Sequence, residues 1–234
     1  MFFINDKPTP ILNTPYFSDV YGESLPFDDE MLVRAVEMIA LPNMIFHVVG
    51  KKGGTIIEVT TENYPSPIPL YVDSRFGTFC KNATQIERHL PSPEVIIERM
   101  KKNVGLPYIW GGNYSKGIPE WKKFYPPQKK LSPFEEAHWT FHGLDCSGIL
   151  YEATEGCTPR NTSEMMTYGK EVSLEDIKPL DLILYPGHVV IAIENSETIE
   201  SQHSSGGVVI RSLEKRLSKI SGPYLLRRFH PAFF

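Results

Sequence analysis

Hydrophobic and polar positions change their period partway along the chain. Between residues 36 and 73 the apolar residues fall in short β-rich runs, at 36–39, 45–49, 55–59 and 70–73. Turn formers separate the runs: Pro42-Asn43, Gly53-Gly54, and the series Pro65, Pro67 and Pro69. Closely spaced short strands of this kind predict a small β-barrel. Residues 1–26 are rich in proline and predict an extended segment packed along that barrel. Beyond Pro91-Ser92-Pro93 the period lengthens. Val95, Ile96, Ile97 and Met100 recur at near-helical spacing and predict a helix over 94–103, closed by Gly105-Leu106-Pro107. A second helix is predicted over 146–155, with Ile149, Leu150 and Ala153 on one side and Gly156 as its stop; a third covers 162–168. Strands follow at 181–185, 188–193, 198–202, 208–211 and 224–229. Helices followed by antiparallel strands make an α+β arrangement. The reading is two domains, 1–92 and 93–234.

Residues 113–143 interrupt this order. They carry Trp121, Phe124, Tyr125, Pro126, Pro127, Trp139 and Phe141. A stretch of this length without a clear period has two readings: a packed loop or extra helix covering the domain, or an aromatic wall or lid on a cleft.

Bulk properties narrow the chemistry. The 234 residues carry a net charge of −4 and a hydrophobic fraction of 41%, enough for a core and too acidic for a nucleic-acid partner. The pairs Lys101-Lys102, Lys122-Lys123 and Lys129-Lys130 read as solvated surface. The apolar start, Phe2-Phe3-Ile4, is broken at once by Asn5, Asp6 and Pro8, which is too short for a secretory signal. No run approaches a membrane span, so the expectation is a cytoplasmic protein with no membrane partner. Three cysteines, Cys80, Cys146 and Cys157, do not make a disulfide framework. Neither C-x-x-C nor H-E-x-x-H occurs, so no metal or other cofactor is expected. Oligomeric state is not legible.

Cys146 stands apart because of its neighbours. Asp145-Cys146-Ser147-Gly148 places a cysteine at the first turn of the second predicted helix, where peptide dipoles and free N–H groups favour thiolate. Gly187-His188-Val189-Val190-Ile191 places a histidine at the start of a buried strand. A thiol and an imidazole so placed suggest a cysteine nucleophile with a histidine base.

Further fragments agree. Tyr108-Ile109-Trp110-Gly111-Gly112, Leu144 to Gly148, Pro159-Arg160-Asn161-Thr162-Ser163, Lys178 to Leu182, His188 to Ile193 and Thr198-Ile199-Glu200-Ser201 resemble, in order and spacing, the NlpC/P60 peptidase family over residues 93–234. The resemblance implies a papain-like core that cuts peptidoglycan stem peptides between γ-D-glutamate and a diamino acid. It also implies that residues 1–92 are similar to the SH3-like barrel preceding this core in γ-D-glutamyl-L-diamino acid endopeptidases. There the barrel narrows the cleft to stems with a free L-alanine. A cytoplasmic enzyme would meet soluble muropeptides. An amidase or acyltransferase on the same Cys/His core, or a non-catalytic peptide-binding protein, is the alternative.

By the same resemblance Cys146 is the nucleophile and His188 the base. The Cys146 backbone N–H and Tyr108 serve the oxyanion, and Asp145, Ser147, Arg160 and Asn161 line the substrate site. Asp145 also reads as a helix cap. Two positions depart from the commonest pattern. Where many members have a second histidine, this chain has Glu200. If the turn after His188's strand is Glu194-Asn195-Ser196, Glu200 shares a face with His188; a turn of Asn195-Ser196 alone puts His203 opposite instead, and Gln202 is a third candidate. In relatives selective for free alanine an aspartate follows the arginine and binds the ammonium group. Asn161 supplies no charge, and Asn161-Thr162-Ser163-Glu164 also reads as a capping box.

Overall fold

Phe3, Ile11, Leu12, Met38, Ile39 and Phe46 are sealed from solvent. In the computed structural model, which describes residues 1–234, the strands carrying them belong to one antiparallel sheet. Its seven strands run in the order Val36–Ala40, Thr9–Leu12, Leu70–Asp73, Ile56–Thr60, Ile45–Gly53, Phe2–Asn5, Gly77–Cys80. The sheet has two edge strands, and no closed barrel is found. The first residues do not run along the sheet as an extended strap. Phe2–Asn5 and Thr9–Leu12 are strands within it, because Phe3, Ile11 and Leu12 have core to fill.

The chain divides into two compact units, residues 1–87 with 109–143, and residues 88–108 with 144–234. The boundary read at 91–93 lies close to the first crossing. Residues 109–143, grouped by that reading with the C-terminal part, cluster with the N-terminal unit. Their aromatic residues explain why. Trp121, Tyr125, Trp139 and Phe141 form one buried cluster with Phe17, Tyr21, Val36, Ile39 and Phe76. Asn113 locks the segment to the sheet: its Oδ1 accepts from the Ile39 N–H and its Nδ2 donates to the Ile39 carbonyl, both at 2.8 Å. Of the two readings of this segment, the packed one describes it. Helix Pro133–Trp139 starts on a Ser132/Glu135 capping box with Pro133 at its first position, which is why so short a helix is well defined.

The second unit has a six-stranded sheet in the order Lys170–Glu171, Leu225–Arg228, Leu182–Tyr185, His188–Ile193, Glu197–Gln202, Gly207–Ser212. Period-two alternation gives it two apolar faces. Val189, Ile191, Ile199 and Val208 pack with Ile96, Ile97 and Met100 of helix Pro93–Lys102 and with Ile149, Leu150 and Ala153 of helix Gly148–Ala153. Ile183, Val190 and Leu226 form a smaller cluster against Leu213 and Leu217 of helix Leu213–Leu217. That last helix was not expected, since five residues are too few for a period to show. No helix of the protein is long and apolar enough to cross a membrane.

Candidate active site

Cys146 sits in the turn that opens helix Gly148–Ala153, and Asp145 builds that turn. Asp145 Oδ1 accepts from the Ser147 N–H at 3.2 Å, the Gly148 N–H at 2.7 Å and the Ser147 hydroxyl at 3.2 Å. These are the orphan donors that a helix start must satisfy. Arg160 closes the arrangement, with Nη1 at 3.0 Å from Oδ1, Nη2 at 2.5 Å from Oδ2, and Nη1 also 2.9 Å from Ser147 Oγ. Asp145, Ser147 and Arg160 are all buried. The three residues read as substrate contacts are therefore bonded to one another behind the cysteine.

The Cys146 thiol donates to the Gly187 carbonyl across 3.9 Å. The residue before His188 thus contacts the sulfur. Gly187 makes this possible: it follows Pro186 at φ +79° and turns the chain between strands Leu182–Tyr185 and His188–Ile193. That left-handed backbone is costly for any residue with a Cβ. Burial, with the Asp145 charge beside it, pushes the Cys146 thiol up to about 12, against the help of the Val189 N–H, Arg160 and the Ser147 N–H. The helix start favours thiolate, and burial of the sulfur works against it. A six-residue helix supplies a short dipole, and desolvation of the sulfur outweighs it.

His188 and Glu200 meet. The hairpin pairs Ile191 with Ile199, Ala192 with Thr198 and Ile193 with Glu197, so the turn is Glu194-Asn195-Ser196. Asn195 and Ser196 take φ values of +60° and +56° to make it. Continuing the ladder sets His188 and Glu200 on one face, and His188 Nε2 lies 2.7 Å from Glu200 Oε2. The other candidates are elsewhere. His203 is exposed in a 3₁₀ turn, its ring edge-on to Tyr108 at 5.4 Å. Gln202 Oε1 accepts from Ser205 Oγ at 2.7 Å and Arg211 at 3.2 Å. Asn161 occupies the N-cap position of helix Thr162–Met165, but its side chain makes no capping bond, so the capping-box reading fails for it.

Arg216 was missed. It is buried, donates Nε to Glu200 Oε1 at 2.5 Å and Nη2 to Oε2 at 3.0 Å, and also reaches the Tyr185 hydroxyl at 2.5 Å. In sequence it stands in Glu214-Lys215-Arg216, which looks like a solvated face. Burial opposes the Glu200 charge, yet the bonds from His188 and Arg216 hold its carboxyl below the ordinary value. No group of three or more His, Cys, Asp or Glu side chains is placed to hold a metal ion.

Comparison with known proteins gives this geometry a family. A model described as the NlpC/P60 family matches residues 105–221, half of the chain. Peptidoglycan endopeptidase RipB of Mycobacterium tuberculosis is 30% identical over 129 residues, covering 52% of this chain and 48% of RipB. Murein DD-endopeptidase MepS/Murein LD-carboxypeptidase of Escherichia coli K12 is 30% identical over 102 residues, 40% of this chain and 50% of its own. The chain spans about half the length of these curated relatives. The crystal structure of an NlpC/P60 family protein from Bacillus cereus ATCC 10987 shares the fold, with a TM-score of 0.60 at 18% identity over 99% of this chain and 100% of that one. From its match to half of the residues, with the Cys146 turn and the His188 hairpin inside the matched span, the chain belongs to the NlpC/P60 family.

Proposed function

We propose that this protein is a cysteine peptidase that hydrolyses peptidoglycan stem peptides at the γ-D-glutamyl–diamino acid bond. The observation that carries the reading is the Cys146 thiol bonded to the carbonyl of Gly187, the residue before a histidine whose Nε2 is bonded to Glu200. An ionised carboxylate only accepts, so His188 Nε2 carries the proton and Nδ1 is left as the base. Burial raises the thiol, so the mechanism joins proton removal to attack. His188 Nδ1 takes the thiol proton as sulfur adds to the scissile carbonyl carbon. The oxyanion is held by the Cys146 backbone N–H, with Tyr108 beside it. Collapse expels the amine, which receives the proton from His188 and leaves a thioester. Water attacks the thioester, His188 takes its proton, and the carboxylic acid departs as the sulfur is reprotonated.

The substrate side of the proposal is a soluble stem such as L-Ala-γ-D-Glu-diaminopimelate, with the N-terminal unit acting as an SH3-like specificity module. The names of RipB and MepS support a peptidoglycan substrate. The test is mass spectrometry of products from that tripeptide and from intact wall, for wild type and Cys146→Ala. The expected products are L-Ala-D-Glu and free diaminopimelate, from wild type only. Equal cleavage by Cys146→Ala, or no cleavage of either substrate by wild type, overturns the reading.

A further inference from the structure

We infer that Arg216 is a positioning residue of this site: it clamps Glu200 from the second face of the sheet, so that the carboxylate meets His188 as a fixed and charge-compensated acceptor. The inference rests on the proposed reading of Cys146 and His188 as the reacting pair.

Local sequence explains how the arginine gets there. Ser212 accepts from the Lys215 N–H and starts helix Leu213–Leu217. Leu213 and Leu217, one turn apart, pack on Ile183, Val190 and Leu226. Glu214 and Lys215 stay exposed, and Arg216 turns inward. Its Nε and Nη2 engage the two oxygens of Glu200 side by side, the planar fork that fits a carboxylate and that a lysine cannot reproduce. The Tyr185 hydroxyl fixes the other side of Nη2.

The charges explain what the clamp does. A buried carboxylate facing an imidazole alone has two ways to shed its charge: it accepts a proton, or it holds the imidazole in its cationic form. The first removes the acceptor and the second removes the base. Arg216 carries a permanent positive charge, so Glu200 stays ionised while its field at His188 is offset. The other groups around the imidazole are few. The Tyr185 ring lies 5.3 Å away on the neighbouring strand. Cys146 stands across Gly187 and Val189, with Asp145 and Arg160 paired behind it. Glu200 and Arg216 face it from strand Glu197–Gln202 and helix Leu213–Leu217.

The experiment is NMR titration of the His188 ring in Cys146→Ala protein, with Arg216→Met, Arg216→Lys, Tyr185→Phe, Glu200→Gln and the Glu200→Gln/Arg216→Met double variant. Turnover against pH is measured for the same set with Cys146 restored. Arg216→Met is expected to raise the His188 midpoint by about one pH unit or more, since a carboxylate at hydrogen-bond distance acts without its counter-charge. The acid limb of kcat/KM moves up with it. Arg216→Lys recovers most of the midpoint and less of kcat, because charge returns without the fork. Tyr185→Phe leaves the midpoint in place. Glu200→Gln lowers it, and the double variant comes back near wild type while kcat stays low. If Arg216→Met does not fold, the gap between Glu200→Gln and the double variant decides the matter. An unchanged midpoint in folded Arg216→Met overturns the clamp, as does a shift of the two single variants in the same direction. The titration needs no substrate, so a wild type without peptidase activity would overturn the proposed function and leave the clamp standing.

Discussion

Asp145–Arg160 and Glu200–Arg216 are made of the same groups at similar distances, 2.5 Å at closest approach in each. Their surroundings differ. Asp145 spends its remaining lone pairs on two backbone N–H groups and a serine hydroxyl, all in its own turn. Nothing in that set titrates near neutral pH. Glu200 gives its remaining bond to His188, whose side chain keeps 14% of its surface in solvent against 1% for Glu200. Asp181–Arg228 belongs with the first kind: Asp181 also caps the Lys178 N–H, and Arg228 binds the Asp176 carbonyl. A buried ion pair closed by backbone donors fixes the chain's path. One that ends on an imidazole fixes an orientation and leaves a proton free to move.

That contrast is broken most severely at Cys146, the proposed nucleophile. On the proposed mechanism, Cys146→Ala should lower turnover by roughly 10³-fold or more, because the thiol that attacks is gone. Its melting temperature should stay near wild type, since both ion pairs are untouched. Cys80→Ser and Cys157→Ser should keep activity within a few-fold. A Cys146→Ala protein with near wild-type activity ends the assignment.

Removing one arginine from each pair comes next. Arg160→Met strands Asp145 among neutral donors and should cost about 3–5 kcal/mol at every pH where the carboxylate is charged. Arg216→Met strands Glu200 beside a group that can become a cation. In that variant a proton held on His188 is a folded-state gain. Such a group, with its folded pKa raised, contributes fully below the unfolded value of about 6.5 and loses the contribution as pH rises through the folded value. Denaturant melts from pH 5 to 8 should therefore show Arg216→Met losing stability as pH rises, while Arg160→Met stays level across that window. Parallel curves for the two variants would show that the pairs are equivalent.

A smaller effect separates the candidates for the third residue. Glu200→Ala should lower kcat by roughly 10²-fold or more, and Glu200→Gln less, because an amide oxygen still accepts the imidazole N–H. His203→Ala should act on KM if it acts at all, given its exposed position against Tyr108. A severe kcat loss in His203→Ala with near-normal Glu200→Ala would invert the assignment.

What could be read from the chain divides along the same line. Glu200 was legible because its meeting with His188 depends on one local quantity, the length of a turn. Once Glu194-Asn195-Ser196 is the turn, alternation does the rest. Arg216 was not legible. Its partner lies sixteen residues upstream across a strand and a short helix, and its neighbours in sequence are exposed charges. The Asp145–Arg160 pair was visible only as two polar residues in motif fragments, which do not distinguish a residue facing substrate from one facing the chain. Trp121, Trp139 and Phe141 announced burial, but aromatic content carries no address, and their core proved to be that of the N-terminal unit. The burial that opposes thiolate at Cys146 was not legible, because a helix start is a local signal and desolvation is not.

The thiol supplies the subtlest test of the contrast. Of the influences on the Cys146 thiol, burial comes first and the Asp145 charge second, both raising it, while the Val189 N–H, Arg160 and the Ser147 N–H pull the other way. Asp145→Asn keeps an oxygen for the Gly148 N–H and removes the negative charge. Arg160 then stands uncompensated near the sulfur, so both changes favour thiolate. Burial remains, so the thiol should stay above the ordinary cysteine range of about 8.5. Each unit of fall multiplies the thiolate fraction about tenfold below the midpoint, and the thiolate is the species that alkylates. Iodoacetamide at pH 8, followed by peptide mapping to separate Cys146 from Cys80 and Cys157, should therefore show Asp145→Asn modified a few-fold to roughly tenfold faster than wild type. Glu200→Gln should give no such gain, because Glu200 bonds to the imidazole and not to the sulfur. Thermal melts must show Asp145→Asn folded at the assay temperature, since an opened chain would alkylate faster for an unrelated reason. A folded Asp145→Asn protein that alkylates no faster than wild type would mean that the closed pair has no electrical reach to Cys146, and that its part in the site is geometry alone.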